Sequence, residues 1–211
     1  MFLNYTFTSL MALSMFIFVS SITPGPNNLM LLHSGARFGF RATIPHMLGI
    51  SIGFAVMVFL CAIGVAAVVF RYPAADVILK TVGCAYMLWL SYKLWLNGIV
   101  PPVDIDTPST TETQRARPLT FMQAALFQYV NPKAWMMALS ITASYLPTTG
   151  SIWSNSLVAC TLCIVINLFC IAIWARGGEL LHTVFHRPRL MRAINALIVA
   201  MTVYCAISIW F

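Results

Sequence analysis

The chain has 211 residues, of which 60% are hydrophobic and 8% charged, with a formal net charge of +7. Soluble domains carry about 45–50% apolar and about 25% charged residues, so the composition excludes a soluble globular domain with a greasy core. It also argues against a nucleic-acid-binding role, because the basic residues flank apolar runs, where they set orientation and meet anionic lipid.

A bilayer core of about 30 Å needs about 20 apolar residues in helical form. The first region that qualifies, 5–36, is interrupted by Thr23-Pro24-Gly25-Pro26-Asn27-Asn28. Met1 to Ser20 carry no basic n-region and are followed by no small-residue cleavage site, so this segment is expected to be a span rather than a leader. Pro24 and Pro26 release the carbonyls of Ser20 and Ile22 from helical pairing. Gly25 permits backbone angles closed to other residues, and Pro26 suits the first turn of a new half-helix running from Asn27 and Asn28 onward. Such an end presents free N–H groups and a positive dipole. Free carbonyls beside free N–H groups suit a zwitterion. The other reading of 23–28 is a cytoplasmic turn followed by a short interfacial helix.

The second span is expected over 43–70. It contains Gly49-x-x-x-Gly53, small residues one turn apart that allow close helix packing; Gly35-x-x-x-Gly39 has the same spacing, and such motifs are compatible with a homodimer. The third span is expected over 77–97. Residues 98–118, with Pro101-Pro102, Asp104, Asp106 and a Thr/Ser run, read as a cytoplasmic linker.

The fourth span, 119–146, carries the second break, Asn131-Pro132-Lys133, where Pro132 cannot donate to the carbonyl of Gln128, itself a site candidate. Asn131 lies about 12 residues into its span, or about 18 Å at ~1.5 Å per residue, which is near mid-membrane. Lys133 at that depth costs at least ~2.5 kcal/mol unless it lines water or is paired. The fifth and sixth spans are expected over 153–175 and 193–211. Cys61, Cys84, Cys160, Cys163, Cys170 and Cys205 all fall in spans and read as small packing residues. Cys160-x-x-Cys163 has the spacing of a redox pair but no basic neighbour. His182-x-x-x-His186 reads as a surface pair rather than a metal site.

The fold expected is therefore an all-α integral membrane protein of six transmembrane helices. Arg37, Arg41, Lys93, Arg115, Arg117, Arg176, Arg187, Arg189 and Arg192 fall on one side, with Arg71 and Lys80 on the other. The positive-inside rule then puts both termini outside. Trp89, Trp95 and Trp174 fit as inner interface anchors; Tyr72, Tyr145, Trp153 and Trp210 fit as outer ones. The linker separates two three-span halves, 1–97 and 119–211, and an odd count per half gives them opposite orientations. That is the topology of inverted-repeat transporters, whose sites use broken helices. Counting places the first break toward the cytoplasmic end and the second near mid-membrane.

These features together resemble the LysE/RhtB family of amino-acid exporters over nearly the whole length. The carriers are Pro24-Gly25-Pro26-Asn27, the Gly49-Ile-Ser-Ile-Gly53-Phe54 run, the Gly83-Cys-Ala-Tyr86-Met-Leu-Trp-Leu90 run and Asn131-Pro132-Lys133. The look is nearest to the cysteine/O-acetylserine exporter branch, through Gly39-Phe-Arg41, Phe127-Gln128-x-Val130-Asn131 and Val203-Tyr-Cys-Ala206. The resemblance implies a secondary transporter of a bacterial inner membrane. It would export small amino acids or derivatives, such as cysteine/O-acetylserine or threonine/homoserine, by proton antiport. No cofactor or metal is implied. Substrate would lie near the two breaks, with Asn27, Asn28 and Asn131 hydrogen-bonded to it and Lys133 facing its carboxylate or an internal counter-charge. No carboxylate lies deep in a span: Asp76 is expected at an outer edge and Glu179 in a cytoplasmic loop. His33 and His46 titrate in a useful range but also fit structural roles. Two other classes stand beside this one: a membrane thiol-disulfide oxidoreductase using Cys160 and Cys163, and a non-transporting scaffold.

Overall fold

The computed structural model describes residues 5–64 and 117–181 continuously, with individual helical positions between 74 and 95 and between 193 and 207. The expected third and sixth spans are represented only by those positions. The linker up to residue 116, His182 and His186 lie outside the described residues. What is described is helical, with no strand.

Helix α1 (Phe7–Ile22) opens on Thr6, whose hydroxyl accepts the Ser9 N–H at 3.1 Å, satisfying one of the donors a helix start leaves unpaired. Leu13, Ile17 and Ser21, four residues apart, are buried, while Phe7, Met11, Met15 and Val19 are exposed. An apolar outer face is what a lipid solvent permits. Helix α2 (Pro26–Phe38) begins with Pro26 in its first turn, and the α1–α2 pair is bent by 56°. Gly39, at φ +81°, turns the chain into α3 (Phe40–Ala62). That positive φ is strained for any residue with a Cβ.

Helix α4 (Phe121–Phe127) starts with a reciprocal capping box between Thr120 and Gln123, which satisfies two orphan donors at once. A 3₁₀ turn (Gln128–Val130) leads to α5 (Pro132–Ser140), a π turn (Ile141–Tyr145) and α6 (Ile152–Leu181). With 30 residues, α6 is about 45 Å long at ~1.5 Å per residue. It packs against α1, α2 and α3, and α3 packs in turn on α4 and α5. Among the described residues α3 and α6 are long and apolar enough to cross a membrane; the bent α1–α2 pair would make a third crossing if it is one span.

Two expected boundaries are corrected and one expected break is observed. The second span ends at Ala62 rather than near 70, because Gly64 at φ +92° closes a turn there. The break expected in the 119–146 region is seen, as two short helices, since Pro132 cannot supply the N–H that a continuous helix needs. Finally, α6 continues past Trp174, so Glu179 is helical and not in a loop. Its Oε1 accepts the Phe40 N–H at 3.0 Å, and it pairs with Arg176, whose guanidinium lies 4.7 Å from the Phe40 ring centre. This carboxylate caps the N-terminus of α3, where a helix dipole favours negative charge.

Two small-residue contacts set the spacing of the bundle. A Cβ on Gly49 would lie 2.3 Å from the Phe121 carbonyl oxygen, and one on Gly53 would lie 2.7 Å from the Ala125 Cα, so α3 meets α4 almost backbone to backbone. The α2–α6 contact is closer still. A Cβ on Gly35 would lie 2.0 Å from the Ala175 oxygen, and one on Gly178 would lie 2.0 Å from the Leu32 oxygen. In lipid, where apolar burial drives little, such approach is a main source of helix association.

Trp174 does more than anchor an interface. Its Nε1–H donates to the Ile22 carbonyl at 3.0 Å, across 152 residues of sequence. Trp174→Phe is expected to lower stability by about 1 kcal/mol, the low end of the cost of an unsatisfied acceptor, because the bond is half-buried. A thermal melt of the detergent-solubilised chain measures it; an unchanged midpoint would show that the carbonyl finds another donor.

Candidate functional site

The two proline breaks meet. Every carbonyl from Ser20 to Gly25 has a partner. Ser20 O accepts the Thr23 hydroxyl at 3.0 Å, Ser21 O and Thr23 O accept the Asn28 amide at 2.8 and 2.7 Å, and Ile22 O accepts Trp174. Thr23 O and Pro24 O accept the Lys133 ammonium at 2.8 and 3.3 Å, with the Thr23 hydroxyl at 3.0 Å from the same nitrogen. Gly25 O accepts the Leu29 N–H of α2. A membrane-embedded break is stable only when such an account closes. Here it closes with local donors and with two, Lys133 and Trp174, from the other half of the chain.

A second link joins the breaks. The Asn27 and Gln128 side-chain amides bond reciprocally, Nδ2–H to Oε1 at 2.9 Å and Nε2–H to Oδ1 at 3.3 Å. Gln128 also donates to Ala124 O at 2.9 Å, occupying a carbonyl that the 3₁₀ turn frees. Asn131 is the N-cap of α5, its side-chain oxygen accepting the Lys133 N–H at 3.2 Å. The expected difference in depth between the breaks is therefore corrected. Counting residues along straight, parallel helices ignores tilt and the short 3₁₀ turn, and these bring Asn27 to Gln128 and Lys133 to Thr23.

Between the breaks lies a cavity of about 30 Å³, room for a water or two. Gly25, Asn27 and Asn28 come to it from the first turn of α2 and the residue before it; Asn131, Lys133 and Ala134 come from the start of α5, and Gln128 from the turn between α4 and α5. The remaining candidates, Pro24, Pro26 and Pro132, are not on its wall: Pro24 offers a carbonyl to Lys133, and the two others start the half-helices. Two helix N-termini and one ammonium thus converge, which makes the cavity electropositive at one wall.

Sequence reasoning did not single out the far wall. Asn167 of α6 donates to the Ser21 hydroxyl at 3.1 Å and accepts the Ser51 hydroxyl at 3.0 Å, tying α1, α3 and α6 together in a buried chain. Ser20, Ser21 and Asn167 line the cavity with Ile50, Phe54 and Met137. Asn167 could have been found as the one amide in the apolar run 158–175, since a polar side chain at membrane depth is a functional candidate by default. The Cys160 thiol donates to the Ala55 carbonyl and Cys163 is buried in helix α6; both are free thiols.

Comparison with known proteins adds a family and relatives. Residues 18–210 match the family described as LysE type translocator. The chain is 30% identical over 196 residues to the cysteine/O-acetylserine efflux protein of Salmonella typhimurium (strain LT2), covering 92% of this chain and 93% of that protein. It is 28% identical over 205 residues to the cysteine/O-acetylserine efflux protein of Escherichia coli (strain K12), covering 97% and 98%. No solved structure matches.

Proposed function

The chain belongs to the LysE type translocator family, and from that premise we propose that it exports cysteine, O-acetylserine or similarly small neutral amino acids from the cytoplasm by proton antiport. It is a transporter and not an enzyme. In this reading it sits in a bacterial cytoplasmic membrane with both termini outside, and protons are the coupling ion.

The observation that carries the proposal is the convergence of two half-helix N-termini and Lys133 on one small cavity. An amino acid brings a carboxylate and an ammonium. The first turns of α2 and α5 offer N–H groups and positive dipole ends to the carboxylate. The oxygens of Ser20, Gln128, Asn131 and Asn167 offer acceptors to the ammonium. The apolar wall of Ile50, Phe54 and Met137 favours a short side chain.

Lys133 holds a place that would suit a substrate ammonium: its own ammonium sits on the carbonyls of the first break. In the mechanism we infer, it is a tethered stand-in. With Lys133 seated, the break is closed and the cavity is too small for an amino acid. Substrate entering draws Lys133 toward its carboxylate and frees the Thr23 and Pro24 carbonyls, so the two half-helices part. Alternating access follows as residues 1–97 rock against 119–211.

The test compares the medium of overexpressing and control cells, quantifying cysteine, O-acetylserine, threonine, homoserine, leucine and basic amino acids together. Enrichment of the small neutral compounds by several-fold is expected. Enrichment of basic amino acids alone, or of nothing, would overturn the substrate class.

A further inference from the structure

Resting on the antiport reading, we infer that His46 is the residue that carries the exchanged proton. His46, Ile50 and Phe54 lie four residues apart on α3, and this spacing places them on one helix face. Ile50 and Phe54 line the cavity, so His46 continues that wall one turn toward the cytoplasmic end. Its ring is 1% exposed, and neither Nδ1 nor Nε2 has a hydrogen-bond partner.

That is an expensive arrangement. A neutral imidazole has one donor and one acceptor, and leaving each buried and unpaired is unfavourable. The other buried polar side chains around the cavity, Asn28, Gln128, Asn131 and Asn167, are all bonded. A histidine kept for packing alone would be expected to find a similar partner or to be replaced by an apolar residue. No group of metal-ligating side chains surrounds it among the described residues. Directly before it, Pro45 removes the N–H that would pair with the Arg41 carbonyl, one turn closer to the cytoplasm. That leaves a polar backbone step between the ring and the helix end.

The charged and titratable groups on the elements packed against α3 are His33 and Arg37 of α2, Tyr129, Lys133 of α5, Tyr145, and on α6 the thiols of Cys160, Cys163 and Cys170 with Arg176 and Glu179. None of them bonds to the ring. Glu179 is committed to Arg176 and Phe40, and Lys133 passes between the first break and the substrate carboxylate. On the cavity-lining face of α3, His46 is left as the group with a basic nitrogen and no bonding partner.

The cycle balances one proton inward for one amino acid outward. A substrate ammonium in the cavity disfavours an imidazolium one turn away, so substrate arriving from the cytoplasm displaces the proton to that side. Once substrate has left outward, the empty cavity admits a proton from the outer side to the ring. The chain returns inward with His46 charged.

The test uses the full chain reconstituted in vesicles with O-acetylserine as probe and cysteine as second probe. Two fluxes are read: accumulation driven by a pH gradient, and counterflow without one. His46→Gln is expected to lose gradient-driven accumulation at least tenfold while counterflow persists. Wild-type gradient-driven accumulation in the variant overturns the assignment, as does equal loss of both fluxes in a monodisperse protein, which marks a structural role. A wild-type chain that moves the probe without responding to the gradient overturns the antiport reading itself. Should His46→Gln fail to fold, a chain carrying His33→Asn, His182→Asn and His186→Asn leaves His46 as its single histidine for nitrogen-15 NMR. A ring that protonates between pH 5 and 8 and deprotonates on adding probe supports the assignment; one that stays neutral throughout overturns it.

Discussion

Replacing Lys133 by alanine is expected to reduce export by at least about 100-fold while the protein still inserts in the membrane at normal yield. The Lys133 ammonium binds three oxygens of the first break. Hydrogen bonds to a charged group contribute about 1.5–3 kcal/mol each, and a tenfold change in rate corresponds to about 1.4 kcal/mol. In the proposed mechanism the same ammonium then holds the substrate carboxylate; its contacts are exposed, so only two bonds at the lower bound are counted, which gives about 3 kcal/mol. Insertion should survive, because α5 is still capped by Asn131 and its buried face of Ala134, Met137 and Ala138 is untouched. Lys133→Arg separates charge from shape. A planar fork on a longer stem cannot sit beside Gly25, where even a Cβ would lie 2.9 Å from the lysine Cδ. Arginine should therefore restore little. Export at wild-type rate in Lys133→Ala would remove the lysine from the mechanism; full rescue by arginine would reduce its role to charge alone.

Gly35→Ala and Gly178→Ala are each expected to destabilise the bundle strongly. The added methyl of either would lie 2.0 Å from a backbone oxygen of the facing helix, Ala175 for the first and Leu32 for the second. Backbone cannot rotate out of the way as a flexible side chain can, so α2 and α6 must separate along their contact. Overpacking costs about 1–3 kcal/mol even where a core can adjust. Here the separation also strains the Trp174 cap on Ile22 and the Asn167 bond to Ser21, which both run from α6 to α1. Either variant should melt well below the wild type in detergent, and the pair together should yield little folded protein. Gly177→Ala is the control: its added methyl would lie 3.9 Å from the Leu32 side chain, an ordinary contact. Equal melting of all three would show that the α2–α6 approach is looser than described.

Much of this protein could be read from residue types alone. Sixty per cent hydrophobic and 8% charged content dictates membrane residence. The prolines dictate where helices stop, and the observed half-helix starts at Pro26 and Pro132 follow from the missing N–H and fixed φ of proline. The ordered motifs identify the family. All of these rest on local chemistry, which travels with the sequence. The tertiary structure decided which groups satisfy what the prolines set free. The donors to Ile22 and Pro24 are Trp174 and Lys133, more than 100 residues away. It also joined Asn27 to Gln128, recruited Asn167, moved Glu179 from an expected loop to the cap of α3, and left His46 buried without a partner. None of this follows from periodicity, because a broken helix announces its unpaired carbonyls but not the direction from which a donor arrives. In lipid that donor must be protein, and only the packing of α5 and α6 against the first break determines which side chain it is.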